Sequence, residues 1–323
     1  MAALIAAAVA FGWCAVAIKI GPLLGFIDQP DDTGLKPHAR PAIPLGGVGV
    51  FLGIHIALAL SRSFDTSLLI ASGLVLVLGL IDDRHPLSPL LRLGVEAAAG
   101  VVIGLRFFDG IGIVGATVLV VVAINAVNLF DGLDGLAGAA TVVTGFGLAW
   151  LGTVRATDPA FGLALAGAAL GFLLLNWHPA KVFLGDNGSY VIGVFLVFGM
   201  IEPAPSLERL GPNLLLMGVF GLDLGATVLR RRLTGHPMFA GDRNHTYDQL
   251  HANGVSIRAV AMVAATVQML FVIAAETISR TVRGVASWVL ALIVGLVVLA
   301  GVTVVVARQS RPTPPSPPPD SSR

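Results

Sequence analysis

Charged residues are scarce in this chain. Only 12% of its 323 residues are Asp, Glu, Lys or Arg, whereas 55% are hydrophobic. A soluble domain usually carries about 25% charged residues. The composition therefore excludes an ordinary soluble protein and predicts an integral membrane protein with many spans. The net charge of +1 gives no reason to expect a nucleic-acid partner.

Cysteine is almost absent as well. The single Cys14 lies in an apolar run, which excludes an internal disulfide, and no zinc-type Cys/His spacing or HExxH motif is present. No basic residue precedes the first apolar run, although a secretory signal would begin with one. We therefore expect residues 2–24 to be a retained first span with its N-terminus outside the cell.

Long apolar runs dominate what is present. They predict an all-α polytopic bundle of ten or eleven transmembrane helices, built as one domain over residues 1–307. The Pro/Ser-rich segment 308–323 is predicted to be a disordered cytoplasmic tail. The runs fall at 2–24, 44–61, 67–81, 91–107, 113–129, 135–154, 160–176, 189–202, 212–230, 257–278 and 285–307.

The distribution of basic residues predicts the orientation of the bundle. With the N-terminus outside, fourteen of the 20 Lys and Arg residues fall on the cytoplasmic side, as the positive-inside rule requires. We therefore expect a multi-pass protein of the cell membrane. Five polar segments share the predicted cytoplasmic side, at 27–47, 79–93, 125–138, 182–190 and 235–250.

The segment NAVNLFDGLDGLAG at 125–138 is the most informative of the five. An Asp at the bilayer centre costs roughly 2.5–3.5 kcal/mol, so Asp131 and Asp134 are predicted to lie at a helix end in contact with water. Helical spacing places Asn125, Asn128 and Asp131 in one row. An amide pair that joins helices inside the bundle would explain Asn125 equally well.

Two further segments carry carboxylates. Asp82 and Asp83 end the third span, and their repulsion should raise the pKa of at least one unless a cation lies between them. Such a pair suits proton abstraction or metal binding. Asp186 in the segment VFLGDNGSY is either a helix N-cap or a carboxylate presented to Mg²⁺.

The remaining two segments carry basic side chains among their polar residues. Lys36, His38 and Arg40 in the first either contact phosphate or form a flank that touches lipid headgroups. The last segment holds Arg243 and His245 in a polar loop of a length that usually signals function. Carboxylates with Asn and basic neighbours, all on one side, favour Mg²⁺-dependent phosphoryl transfer, with Mn²⁺ as an alternative metal.

In three of these segments the chain resembles the polyprenyl-phosphate N-acetylhexosamine-1-phosphate transferases, the membrane enzymes related to phospho-MurNAc-pentapeptide translocase. The motifs are an Asp-Asp pair followed by LSP, then NxxNxxDGxDGLAG, then FLGDNGS, in this order over about residues 1–260. The resemblance implies transfer of a sugar-1-phosphate from a UDP-sugar to undecaprenyl or decaprenyl phosphate, which releases UMP and starts a lipid-linked envelope glycan.

The resemblance also implies roles for individual residues. Asp186 corresponds to the main Mg²⁺ ligand and Asn128 to a second one. Asp82 and Asp83 correspond to an essential pair, with Asp82 as the base toward the lipid phosphate. The resemblance also implies that Asp131 is essential, that Asp134 and Phe183 bind uracil, and that Arg92 contacts phosphate. It implies that Arg243 and His245 hold the sugar and the diphosphate. Lys36, from the first of the polar segments, is a further candidate phosphate contact.

One departure concerns the last loop. Many relatives read HxHH there, whereas this chain has His245, Thr246, Tyr247 and Asp248. Because the loop helps to select the sugar in the family, the identity of the sugar stays open. The sequence also leaves open whether the protein forms a homodimer.

Two other functions compete with the transferase hypothesis. A cation-coupled transporter would need acids along the depth of the bundle, and a lipid-binding protein would not need all three acidic motifs. Within the transferase hypothesis, direct attack by the lipid phosphate on the β-phosphorus competes with a two-step route through a phosphorylated Asp.

Overall fold

A computed structural model describes residues 1–29, 41–202, 207–235 and 244–309. Within these residues the secondary structure is helical, with two isolated β-bridges and no strand. The α-helices are α1 (Ala2–Ile20), α2 (Gly46–Leu60), α3 (Thr66–Asp82), α4 (Pro89–Phe107), α5 (Ile111–Phe130), α6 (Leu136–Val154), α7 (Ala160–Asn176), α8 (Gly185–Ile201), α9 (Leu207–Asn213), α10 (Gly218–Thr234), α11 (Thr246–Ala252), α12 (Ile257–Thr281) and α13 (Val285–Gln309).

The predicted all-α polytopic membrane fold is confirmed. Five helices of the described residues are long and apolar enough to cross a membrane, when the segment Leu210–Thr234 is counted as one, and five shorter ones are also apolar. Large apolar side chains on their outer faces are exposed, for example Leu4, Leu105 and Leu270. Such a surface requires lipid rather than water around it.

Several helices begin where side chains cap them. Asp65 accepts a hydrogen bond from the Leu68 backbone N–H (2.9 Å) and starts α3. Ser88 starts α4 by accepting from the Leu91 N–H (3.3 Å), and Pro89 follows at the first helical position, where its missing N–H costs nothing. These polar residues separate the apolar runs and set the helix boundaries.

Helix α8 lies at the centre of the bundle. Every residue from Asn187 to Ile201 is buried, and α8 packs against α2, α3 and α5. Glycine allows the closest of these approaches, because a Cβ on Gly47 of α2 would lie 2.2 Å from the backbone of Gly188. The Gly-Gly start of α2 is therefore a helix-crossing point.

The ninth predicted span is broken. The sequence predicts one helix over 212–230, but α9 and α10 are separated by a 3₁₀ turn over Leu214–Met217. The side chain of Gln268 on α12 binds both sides of the break, donating to the Leu216 carbonyl (2.8 Å) and accepting from the Val219 N–H (3.0 Å). This buried side chain satisfies backbone groups that the break would otherwise leave unpaired.

Two other boundaries differ from the prediction. The first span ends at Ile20 rather than at residue 24, because Pro22 starts a 3₁₀ turn. Helix α8 begins at Gly185, four residues before the predicted span at 189, so that Asp186 lies in its first turn.

Acidic residues also gather at the end of the bundle where α3 begins. Asp65 forms an ion pair with Arg106 (2.9 Å). Desolvation of the carboxylate and the charges of Asp158 and Asp65 together raise the pKa of Glu202 to about 7, against the effect of Arg106.

Candidate functional site

Several helix ends converge on a polar cavity of about 930 Å³. The ends of α3 and α5 and the start of α8 meet there, together with the loops before α2, before α6 and after α7. The antiparallel order of neighbouring helices brings these distant segments to one end of the bundle. The predicted site residues that line this polar cavity are Asp82, Asp83, Asn128, Asp131, Asp134, Phe183 and Asp186.

The start of α8 is held by a carboxylate from α3. Asp83 accepts hydrogen bonds from the backbone N–H groups of Asp186 (2.8 Å) and Asn187 (3.2 Å), and from Asn187 Nδ2 (2.6 Å). A carboxylate at a helix N-terminus satisfies free N–H groups and complements the helix dipole. Gly185 has a φ of +74°, a conformation that glycine adopts without strain.

Asp186 faces the end of α5. Asn128 donates Nδ2 to Asp186 Oδ1 (2.6 Å) and to Ser189 Oγ (3.1 Å). The two residues predicted as metal ligands are therefore neighbours. In this arrangement Asn128 is a hydrogen-bond donor to Asp186, and metal binding by Asn128 requires its Oδ1 to turn toward the cation.

Asp82 also lines the polar cavity but has other hydrogen-bond partners than Asp83. It accepts hydrogen bonds from the Tyr190 hydroxyl (2.7 Å) and the Leu87 N–H (2.7 Å), and it forms an ion pair with Arg92 (3.2 Å). Asp82 is 6% exposed. The two adjacent carboxylates therefore have different environments and different partners.

The carboxylates at the cavity floor carry perturbed pKa values. Burial and the charge of Asp186 together raise the pKa of Asp83 to about 7, against the lowering effect of its hydrogen bonds. Burial also raises the pKa of Asp131 well above its usual range, and Asp186, Asp83 and Asp134 add to this effect. The expected rise within the Asp82–Asp83 pair is thus found at Asp83, but burial and Asp186 cause it.

The donor set fits a magnesium ion. Among the described residues, no group of three or more His, Cys, Asp or Glu side chains forms a ready-made metal site. Magnesium needs less, because it binds through one or two carboxylates, water and substrate phosphate oxygens. The mutual repulsion of Asp186, Asp83 and Asp131 is what a divalent cation at Asp186 would relieve.

Asp134 lies at the other side of the polar cavity. Its Oδ2 is 2.8 Å from His178 Nδ1 and accepts a hydrogen bond from the Ala180 N–H (3.0 Å). Asn176 accepts from the Gly135 N–H (2.9 Å) and donates to the Val182 carbonyl (2.9 Å). The loop after α7 therefore fixes the Asp134 turn.

Phe183 lines the same cavity. Its backbone N–H donates to the Ile43 carbonyl (3.0 Å) and its carbonyl accepts from the Gly46 N–H (3.0 Å). These bonds attach the segment before α8 to the start of α2. Phe183 and Asp134 thus line one cavity.

A second cavity of about 620 Å³, which we call the side cavity, opens between α4, α5 and α10. Its polar lining includes Arg92, Arg231 and His245, and Leu93, Val121, Leu224 and Val228 form part of its apolar wall. The side cavity shares Asn128 and Gly132 with the polar cavity. Arg92, the predicted phosphate contact, and His245, predicted to contact the sugar and diphosphate, therefore both line the side cavity and not the polar cavity.

His245 is held in a buried cluster. Its Nδ1 is 2.7 Å from Asp223 Oδ2 and 3.2 Å from the Thr227 hydroxyl, and the Thr246 N–H donates to Asp223 Oδ1 (2.9 Å). An acid at Nδ1 orients the imidazole ring. Asp223 on α10 is thus the acidic partner of His245.

Asn125 contributes to the side cavity and not to the carboxylate cluster. Its Nδ2 donates to Glu96 on α4 (2.7 Å) and to the Val121 carbonyl (2.9 Å). Asn125 thus joins two helices, which was the alternative interpretation of this residue. Lys36, His38, Arg40 and Arg243 lie outside the described residues.

Four contributors were missed by sequence reasoning: His178, Tyr190, Asn187 and Asn176. Tyr190 is one of only two tyrosines in the chain, and it follows the GDNGS motif directly, which was a usable signal. Asn187 lies inside the same motif, whereas His178 and Asn176 act through Asp134 and Gly135, more than 40 residues away, so no local pattern marks those two.

Comparison with known proteins identifies relatives of this chain. The family model described as glycosyl transferase family 4 matches residues 66–203. A probable undecaprenyl-phosphate N-acetylglucosaminyl 1-phosphate transferase of Bacillus subtilis is 28% identical, over 92% of this chain and 88% of its own length.

Two further relatives carry related names. A decaprenyl-phosphate N-acetylglucosaminephosphotransferase of Mycolicibacterium smegmatis is 31% identical, over 90% of this chain and 85% of its own length. An undecaprenyl-phosphate alpha-N-acetylglucosaminyl 1-phosphate transferase of Thermotoga maritima is 29% identical, over 69% of this chain and 72% of its own length. With its helical membrane fold and its conjoined cavities, the chain belongs to glycosyl transferase family 4 and is a membrane enzyme of the transferase class.

Proposed function

We propose that the protein transfers N-acetylglucosamine-1-phosphate from a UDP-sugar to a polyprenyl phosphate, with Mg²⁺, and releases UMP. The observation that carries this proposal is the junction of the two cavities at Asn128, beside Asp186. One cavity is polar and rimmed by carboxylates, and the other has an apolar wall with basic residues at its polar end. A water-soluble nucleotide and a lipid-borne phosphate need this pair of adjoining environments.

The polar cavity is the proposed donor site. Asp134 would accept the uracil N–H, and Phe183 would stack on the ring, as the resemblance implies. His178 and the Ala180 N–H hold the Asp134 carboxylate in place. The N-acetylglucosamine assignment rests on the names of the relatives, because loop residues 236–243 lie outside the described part of the chain.

The side cavity is the proposed acceptor site. Arg92 and His245 would bind the phosphate, with Arg231 nearby, and the apolar wall would contact the first isoprene units. An undecaprenyl or decaprenyl chain is far longer than the cavity, so the rest of the lipid would stay in the bilayer. Lys36 and Arg243 stay proposed phosphate contacts.

The metal site would be formed by Asp186, with Asn128 as second ligand. A bound Mg²⁺ would supply charge neutralisation on the diphosphate. Asp83 would act on Asp186 through the start of α8 and not on the substrate directly. Asp131 adds negative charge to the same floor, which strengthens the binding of a divalent cation.

In the proposed reaction, an oxygen of the lipid phosphate attacks the β-phosphorus of the UDP-sugar. The bond from this phosphorus to the bridging oxygen breaks, and UMP leaves with that oxygen. A phosphate monoester has a second pKa near 6, so at neutral pH most of the acceptor needs no base. Asp82 would accept the proton from the monoanionic fraction and would hold Arg92 toward the acceptor.

We also propose the cytoplasmic side of the cell membrane for this end of the bundle. The support is the basic-residue bias in the sequence. UDP-sugars are cytoplasmic metabolites, and the product would start a lipid-linked envelope glycan. A homodimer is compatible with this proposal and is not required by it.

UMP release by the purified protein tests the proposal. UDP-N-acetylglucosamine, UDP-N-acetylgalactosamine and UDP-glucose are each mixed with undecaprenyl or decaprenyl phosphate, with Mg²⁺, Mn²⁺ or EDTA. We expect UMP and a lipid diphosphosugar only with both substrates and a metal. UMP release without lipid, or ion flux without UMP, would refute it.

Two variants sharpen the test. Asp186→Asn should reduce turnover at least about 10³-fold, because it removes the proposed metal carboxylate. Asp158→Asn, a matched change at the opposite end of the bundle, should stay within about twofold. A phosphorylated enzyme trapped without acceptor would favour the two-step route over direct attack.

A further inference from the structure

Tyr247 occupies an unusual position between the two proposed substrate sites. It lies in the first turn of α11, is 4% exposed, and lines the side cavity. Its hydroxyl donates to the Leu129 carbonyl (2.8 Å) in the last turn of α5. Carbonyls in the last turn of a helix have no partner within the helix, so this hydrogen bond holds the end of α5.

The end of α5 is the part that carries the carboxylate motif. Leu129 follows Asn128, the partner of Asp186. The tyrosine also packs on the Asp-Gly turn, because a Cβ on Gly132 would lie 2.1 Å from the Tyr247 hydroxyl. Glycine at 132 therefore lets the tyrosine approach this backbone directly.

The other face of the tyrosine lies against His245. The two rings are stacked, with centroids 5.2 Å apart and planes 5° apart. The edge of Phe130 closes the arrangement at 5.9 Å and 87°. Asp248 accepts from the His245 N–H (3.3 Å) and fixes the turn that sets the two rings side by side.

We propose that Tyr247 is a positioning residue, which keeps the His245 imidazole at a fixed distance from the α5 end that carries Asn128. This proposal rests on the proposed function, in which His245 binds the acceptor phosphate and Asn128 lies at the metal. Asp223 fixes the orientation of the imidazole through Nδ1, and Tyr247 fixes its separation from the donor site. The hydroxyl and the ring have separate parts in this role.

Tyr247→Phe isolates the hydroxyl, because the ring and its stacking remain. We expect kcat to fall about tenfold, as expected for one lost hydrogen bond, with KM for both substrates within about twofold. Ser72→Ala is the matched control, since it removes another buried hydroxyl, bonded to the Leu68 carbonyl and His55. Ser72 lies ten residues before Asp82 on α3, and its loss should leave kcat within about twofold.

A double-mutant cycle separates positioning from a general structural role. In a His245→Ala background, Tyr247→Phe should lower kcat less than twofold further, because the group that it positions is gone. An equal loss in both backgrounds would overturn the proposal. So would a rise in KM at unchanged kcat, or a kcat loss equal to that of Ser72→Ala.

A second measurement does not need turnover. The chain has seven histidines, and the ring signal of His245 in a histidine-labelled sample is identified by its loss in His245→Ala. Tyr247→Phe should move this signal and Ser72→Ala should not. An unmoved signal would overturn the positioning role, whereas a wild-type protein that is inactive with every donor would refute the proposed function alone.

Discussion

Replacement of Asp83 tests how the carboxylate pair is used. Both Asp83 oxygens accept hydrogen bonds from the first turn of α8, which also carries Asp186. If Asp83 acts by holding Asp186, then Asp83→Asn should keep partial activity, because one amide oxygen still accepts. Asp83→Ala should lose far more, because the N–H groups lose both acceptors.

The magnitudes follow from the hydrogen bonds. A charge-assisted hydrogen bond contributes about 1.5–3 kcal/mol, against about 1 kcal/mol for a neutral one. Asp83→Asn leaves one of the two positions without an acceptor, so it should weaken the placement of Asp186 by the value of about one charge-assisted bond, about 1.5–3 kcal/mol. This corresponds to a roughly 10- to 150-fold fall in kcat/KM, with a higher Mg²⁺ concentration at half-maximal rate. Asp83→Ala should fall below the detection limit.

Steady-state UMP release over a Mg²⁺ titration measures these effects. Asp65→Asn is the matched control, because Asp65 caps the other end of α3 and also holds a helix N-terminus. Loss of this helix cap should lower the free energy of unfolding by about 1 kcal/mol and so lower the melting temperature. It should leave kcat unchanged. If Asp83→Asn is as inactive as Asp83→Ala while its Mg²⁺ requirement is unchanged, then Asp83 acts on the substrate and the reasoning is refuted.

Three further predictions concern other sites. Because the pKa of Glu202 is about 7 in the folded protein and about 4.3 when unfolded, this group lowers stability as pH rises from about 4 to 7. Glu202→Gln should therefore reduce the pH dependence of the melting temperature over this range. An unchanged dependence on pH would contradict the raised pKa of Glu202. Asp134→Asn weakens the hydrogen bond between this side chain and His178, so the KM for the UDP-sugar should rise about tenfold with little change in kcat. Steady-state rates at saturating lipid measure both constants. A fall in kcat at unchanged KM would count against the prediction. Arg92→Lys keeps the charge but loses the planar guanidinium group that contacts both Asp82 and the Leu87 carbonyl. The KM for polyprenyl phosphate should therefore rise about fivefold, as measured in lipid titrations. A change in the KM for the UDP-sugar alone would count against an acceptor role for Arg92.

Much of the fold could be predicted from the sequence, because apolar runs and polar interruptions are local signals. Ten of the eleven predicted spans correspond to helices with small shifts at their ends. The broken ninth span was the exception. Pro212 was a local sign of the break, but the side chain that stabilises it, Gln268, lies more than fifty residues away.

The site could be predicted where a sequence motif lies at either end of a membrane span. Asn128 and Asp186 lie in two such motifs, and they are in contact in the structure. The partners of Asp83 and Asp134 were not predictable, because they depend on which helix ends adjoin in three dimensions. Residue type was ambiguous for Asn125 until its partner Glu96 was known.

The burial of α8 from Asn187 to Ile201 has a consequence for how the protein responds to its membrane. A helix of 17 residues is about 25 Å long, shorter than a hydrocarbon layer of about 30 Å. Helices at the lipid boundary respond to bilayer thickness by tilting, but α8 touches only protein. The depth of Asp186 is therefore set by the neighbouring helices, and turnover should vary little between bilayers of shorter and longer acyl chains.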